Sequence, residues 1–185
     1  MRKLIGAINM TLDGFCDHTA IIPDAELHQH YADLLQNADA ILYGRITYQL
    51  MEYWPTVVKN PTGNASIDEF ALIMDHIPKI VFSHTLKHVD WESARLAKGS
   101  LEEEVAALKQ APDGDKDILV GSRSLIVALL NLNLIDEFQL MIHPVIAGSG
   151  LPLFNNINHR TTFKLLKTKT FGSGAITLYY EPVKA

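Results

Sequence analysis

The sequence predicts an α/β fold: a mixed, mostly parallel sheet with helices on both faces, closed by a C-terminal antiparallel hairpin. Three observations predict it. Up to Leu132, short apolar runs alternate with segments of helical periodicity, the order that βα units produce. The runs Leu4–Met10, Asp39–Tyr43 and Ile118–Val120 are mostly apolar, as strands covered on both faces are. After Asp136 the pattern turns to alternation, with Phe138, Leu140 and Ile142 on one face, and Gly172-Ser173-Gly174 joins two strand-like segments, 163–171 and 175–181.

The elements follow in order. Leu4–Met10 is the first strand, and Thr11-Leu12-Asp13-Gly14 reads as a turn. Pro23-Asp24 opens a helix in which Leu27, Tyr31, Leu34 and Leu35 recur at helical spacing. Strand Asp39–Tyr43 runs into Gly44-Arg45 and a short helix from Ile46 to Tyr53. Residues 55–66, with Pro55, Pro61 and Gly63, read as loop. Ile67–Asp75 reads as helix and Lys79–Phe82 as a third strand, ending at Ser83-His84-Thr85. Ser100 with Glu103 three residues on forms a capping box for a helix over Leu101–Gln110. Asp113-Gly114 marks a turn before strand Ile118–Val120. Gly121-Ser122-Arg123-Ser124 then leads into an apolar helix, Leu125–Leu132. Nothing divides the chain, so residues 1–185 are expected to form one domain.

Composition narrows the function. The 185 residues are 48% hydrophobic and 20% charged, which is ordinary for a globular protein. A net charge of -5 argues against a nucleic-acid partner, whose phosphates are bound by clustered Lys and Arg. The longest apolar stretch, Leu125–Leu130, is far short of the roughly 20 residues that span a bilayer. With no signal-peptide pattern and no membrane partner expected, the chain reads as cytoplasmic. The lone Cys16 excludes an internal disulfide and the CxxC pairs of zinc modules.

Three strand ends share one feature, a buried strand running into a small or polar cluster. They are Tyr43-Gly44-Arg45-Ile46-Thr47, Phe82-Ser83-His84-Thr85 and Val120-Gly121-Ser122-Arg123-Ser124. Ligands of parallel sheets bind beyond the carboxyl ends of strands. Glycine lets a ligand approach the backbone, and free helix amides with hydroxyls suit a phosphate. Each cluster alone is also an ordinary strand-to-helix turn; three on successive strands point to a dinucleotide. GxGxxG and GxxxxGK[ST] are both absent, which disfavours an ordinary Rossmann site and a P-loop. None of the eight histidines falls in HExxH, and no metal site is expected. His28 and His30 point to different faces of their helix. GxSxG is missing as well. Asp13 and Glu26, the carboxylates nearest the first strand and the following helix, are the candidate catalytic groups; either can equally cap or solvate its own element.

These motifs, with Leu134-Ile135-Asp136-Glu137-Phe138 and His143-Pro144-Val145-Ile146-Ala147-Gly148-Ser149-Gly150-Leu151-Pro152-Leu153-Phe154 after them, occur in a characteristic order. Together they resemble the dihydrofolate-reductase-like superfamily, particularly the reductase domain of bifunctional riboflavin-biosynthesis proteins (the RibD C-terminal type) and its stand-alone relatives. The resemblance implies a three-layer fold binding NADPH across the strand ends. It places Gly44, Arg45 and Thr47 at the adenine-side phosphates and Ser83, His84 and Thr85 near the adenosine 2′-phosphate. Gly121, Ser122, Arg123 and Ser124 would cradle the pyrophosphate. Ala7 would meet the nicotinamide, and Asn9, Asp13 and Gly14 the substrate. It further implies a homodimer reducing a small pyrimidine- or pterin-like substrate, foremost 5-amino-6-(5-phosphoribosylamino)uracil. The alternatives are a noncatalytic NADPH-binding protein that kept the fold and a dihydrofolate reductase. There are two departures. True dihydrofolate reductases carry an acidic residue roughly where this chain has His28, with Glu26 close but out of register, and Gly-Gly where it has Gly121-Ser122.

Overall fold

The computed structural model describes residues 2–19, 21, 23–112 and 114–183, so Asp113 of the expected turn lies outside the described residues. Eight strands form one sheet in the order β4-β3-β2-β5-β1-β6-β8-β7. β1 (Leu4–Thr11) lies between β5 (Asp117–Val120) and β6 (Glu137–His143), parallel to both. β2 (Ala38–Gly44) is parallel to β5 and β3 (Lys79–Phe82), and β4 (Ala94–Leu96) extends that edge. β8 (Ile176–Pro182) returns antiparallel between β6 and β7 (Phe163–Thr170). The mixed, mostly parallel sheet and the closing hairpin are as the sequence reading expects.

Side-chain alternation sorts the helices onto two faces. One face carries Ile5, Ile41, Tyr43, Val81 and Leu119, packed against α1 (Ala25–Gln36), α2 (Arg45–Met51) and α4 (Ala65–His76). The other carries Leu4, Leu42, Ile80, Ile118 and Val120 against α5 (Leu101–Gln110) and α6 (Arg123–Asn131). Leu4, Leu42, Ile118 and Val120 are fully buried, each such side chain contributing roughly 1.5–3 kcal/mol. Asp24 caps α1 through the Leu27 N–H at 2.8 Å. Ser100 and Glu103 close the capping box of α5.

Two expectations need correction. The stretch read as loop over 55–66 contains α3 (Trp54–Lys59), since proline is tolerated in the first turn of a helix, where its missing N–H has no partner to lose. Strand β4 was not foreseen; three residues are too short for a period-2 pattern. Boundaries also shift: β1 runs through Thr11, α2 begins at Arg45 and α6 at Arg123. Among the described residues no helix is long and apolar enough to cross a membrane.

Candidate functional site

A cleft of about 530 Å³ opens where β1, β2 and β5 end, within the usual range for small-molecule sites, roughly 300–1,000 Å³. Its floor is Ala7, Asn9, Tyr43 and Gly121. One wall is the α1 face of Leu27, His28, Tyr31 and Leu34. The opposite wall is Thr47, Leu50 and Met51 of α2, Trp54 of α3, and Phe70 and Met74 of α4. The inner end is aromatic: Trp54 meets Phe70 edge-on with ring centres 4.6 Å apart. The His28 ring lies 5.7 Å from Phe70 and 6.4 Å from Trp54. Burial holds the His28 pKa below its ordinary 6.5, against the opposing pull of Asp24.

At the outer end the carboxyl termini of β2 and β5 meet. A Cβ on Gly44 would stand 3.0 Å from the Ser122 hydroxyl and 3.2 Å from that of Ser124, so the glycine lets the two junctions approach closely without displacing either hydroxyl. Thr47 then donates its hydroxyl to Ser122 at 3.0 Å. Ser122 begins α6 without capping it by side chain, which leaves the first amides of that helix free. Gly121 also faces the cleft, but a Cβ there would touch its neighbours at ordinary distances, 3.6 to 3.9 Å. Arg123 lines the same end and donates Nε to the Pro152 carbonyl at 2.6 Å. Arg45 is exposed and held to Gln49 at 3.1 Å. Ser83, at the neighbouring end of β3, accepts from the Thr85 and Leu86 amides, and His84 and Thr85 beside it are exposed. Residues 83–85 do not line the cleft.

The remaining wall is a pair of loops zipped together. The Asp13 carboxylate accepts from the Thr11 hydroxyl (2.7 Å) and from the amides of Ala147 (3.0 Å) and Gly148 (2.7 Å). The Thr11 hydroxyl, then those amides, hold its pKa down to about 2. Asp17 accepts from the Leu151 amide at 2.5 Å, and Leu12, Cys16 and Gly14 exchange backbone bonds with Val145, Leu151 and Leu153. A Cβ on Gly150 would collide with the Asp17 carboxylate at 2.1 Å. Asp13 and Gly14 therefore tie loop to loop and do not line the cleft. Glu26 likewise is turned away, accepting from the Gly172 amide at 2.8 Å and fastening α1 to the β7–β8 turn.

Asn9 does face the cleft, with its Oδ1 2.9 Å from His143 Nε2 and its side chain beside the Tyr31 hydroxyl. Burial keeps His143 below its ordinary pKa and Tyr31 well above its own. The expected residues thus divide. Ala7, Asn9, Thr47, Gly121 and Arg123 line one cleft, with Gly44, Ser122 and Ser124 packed at its outer end. His28, Tyr31, Trp54 and Phe70 were absent from the expected set. Spacing marked the α1 stripe, but a cleft-lining face and a core face have the same period.

Residues 2–177 match the RibD C-terminal domain family, and the chain belongs to it. It is 37% identical to the uncharacterized protein YyaP of Bacillus subtilis (strain 168), over 97% of this chain and 94% of that one. Among solved structures it resembles a putative riboflavin biosynthesis protein from Shewanella sp. PV-4, with a TM-score of 0.74, 21% identity and coverage of 98% and 99%. It also resembles a diaminohydroxyphosphoribosylaminopyrimidine deaminase/5-amino-6-(5-phosphoribosylamino)uracil reductase from Thermotoga maritima, at TM-score 0.66 and 18% identity. There it covers 98% of this chain and 57% of that one. A dihydrofolate reductase from Enterococcus faecalis complexed with NADP(H) matches at TM-score 0.63 and 14% identity, over 98% and 97%. These likenesses establish the dihydrofolate-reductase-like fold.

Proposed function

We propose that this member of the RibD C-terminal domain family is an NADPH-dependent reductase of a small, flat, pyrimidine- or pterin-like ring. The observation that carries the reading is the cleft itself, apolar at its inner end and backbone-lined at its outer end. The residues present fit the cofactor: the side-chain-free surface at Gly121 admits a ligand to the backbone. The free α6 amides, Ser122 and Thr47 suit a pyrophosphate. Arg45, with Ser83, His84 and Thr85 at the next strand end, would hold the 2′-phosphate, and Ala7 the nicotinamide. NADPH, when bound, supplies the hydride.

The chain's own groups then orient and protonate the substrate. Asp13 and Glu26 are engaged as latches, so we assign the proton to His28, the imidazole that faces the aromatic end of the cleft. Asn9, fixed by His143, is placed to hydrogen-bond the ring edge. The reaction proposed is a ring-related reduction of the class the Thermotoga maritima protein is named for, without carrying over that protein's own substrate. A homodimer is part of the proposal, because edge strand β7 leaves Leu165 and Leu166 exposed, and Ile176 of β8, paired with Thr170 at the far end of the hairpin, is exposed as well. Fluorescence titration of the purified protein with NADPH tests the reading, followed by NADPH oxidation with candidate rings. His28→Gln should leave NADPH affinity intact and lower turnover at least tenfold, the lower end of the effect of a general acid. It should also remove the rise in rate as pH falls below about 6.5. Wild-type protein that does not bind NADPH would overturn the proposal.

A further inference from the structure

The charge distribution around the cleft goes beyond the reaction to the substrate it admits. Between Leu4 and Pro78, the segment that supplies both walls of the inner end, the sequence holds Arg45 and Lys59 as its only Lys or Arg, against ten Asp and Glu. Neither faces the cleft: Arg45 is exposed and held to Gln49, and Lys59 ends α3. Arg123 lies at the outer end, tied to the Pro152 carbonyl. Lys167 and Lys169 lie over Tyr179 and Phe171 and do not line the cleft. The other acidic and imidazole side chains of the lining are Asp17, His18 and His28, and its thiol and phenols, Cys16, Tyr31 and Tyr43, carry no positive charge.

A phosphate monoester carries about two negative charges at neutral pH. Such a group is bound by Arg forks or Lys ammonium groups, and leaving it unpaired in an apolar recess is costly. What the inner end does offer is ring surface, with Trp54 and Phe70 meeting at 4.6 Å and His28 packed against both. Aromatic walls of this kind favour a planar ring in edge-to-face or offset contact.

We infer that the substrate is an uncharged planar heterocycle without a phosphate, packed against the cluster of Trp54, Phe70 and His28, and that a phosphoribosyl substrate is excluded from this cleft. The inference rests on the reductase reading, whose substrate class it narrows.

A matched pair tests it: 6-hydroxymethylpterin and its phosphate monoester, titrated by pterin fluorescence against the protein with and without saturating NADPH. The free hydroxymethyl compound should bind at least tenfold tighter than the ester. Leu50→Arg, at a half-exposed cleft position on α2, should reverse that preference by adding the missing cation. Trp54→Leu should weaken both ligands while leaving NADPH affinity unchanged. Equal or tighter binding of the phosphate ester to the wild type would overturn the inference, as would binding of neither compound. Loss of NADPH binding alone would refute the reductase reading, and the titrations without NADPH would still decide the substrate class.

Discussion

Gly121→Ala places one methyl group where the carboxyl end of β5 faces the cleft. The protein has room for it: the new Cβ would meet Tyr43 Cε1 at 3.6 Å, Ile41 Cδ1 at 3.8 Å and the Ala7 carbonyl oxygen at 3.9 Å. Gly121 is not among the positive-φ glycines, so alanine adopts its backbone without strain. Such a replacement stabilises by about 0.4–1 kcal/mol through the unfolded chain. In a protein of this size that is a Tm change of no more than about 4 °C. A dinucleotide approaching the same peptide to hydrogen-bonding distance meets the methyl instead. Loss of one charge-assisted hydrogen bond costs roughly 1.5–3 kcal/mol, or roughly 10- to 150-fold in Kd. Gly44→Ala differs in its effect on stability. Its Cβ would press on two serine hydroxyls at 3.0 and 3.2 Å, an overpacking cost of about 1–3 kcal/mol that lowers Tm. Thermal melts and NADPH fluorescence titrations on both variants decide the matter. A Gly121→Ala protein that melts normally and binds NADPH as tightly as wild type would refute the placement of the cofactor.

Three further outcomes follow from the side-chain geometry. Burial, aided by the charge of Lys169, holds the His30 pKa down to about 4 against an ordinary 6.5. The unfolded chain therefore binds the extra proton first, and up to about 3 kcal/mol of stability, present above pH 6.5, is lost as pH falls toward 4. His30→Phe should flatten that acid limb in urea melts, and an unchanged limb would disprove it. Glu26→Gln should leave kcat unaltered because its carboxylate faces the Gly172 amide; a large loss of turnover would make Glu26 catalytic after all. Lys79 is fully buried, donating to the Ile77 carbonyl at 2.8 Å and Ser93 at 2.7 Å with Trp91 beneath it. Lys79→Met strands those acceptors and should cost about 1–3 kcal/mol, read from denaturant unfolding.

The fold was more legible than the site, and the residues show why. Capping at Ser100 and Glu103, the Gly172-Ser173-Gly174 hairpin and the apolar β1, β2 and β5 are local patterns, and each lies where its pattern put it. α3 hid behind Pro55, which as easily opens a helix as breaks one. The glycine clusters at 44 and 121 could be read because a strand ending in glycine is itself a local signal. The aromatic end could not, since Trp54 and Phe70 come from helices whose packing only the tertiary fold decides. Asp13 shows the converse. It lies beside β1 in sequence, yet its acceptors are filled from Ala147 and Gly148, which no local pattern announces.

Strand order also sets a timetable for synthesis. β1 leaves the ribosome first, yet its partners are β5 and β6, the earliest contact joining Leu4 to Ile118. Elongation at about 5–20 residues per second separates the two by on the order of ten seconds. Over that interval the central strand of the sheet has no neighbour, while β2 and β3 can already pair with each other. The apolar segment Leu4–Met10 therefore stays unpaired until the C-terminal half emerges. That makes pairing of the first strand a late event in folding.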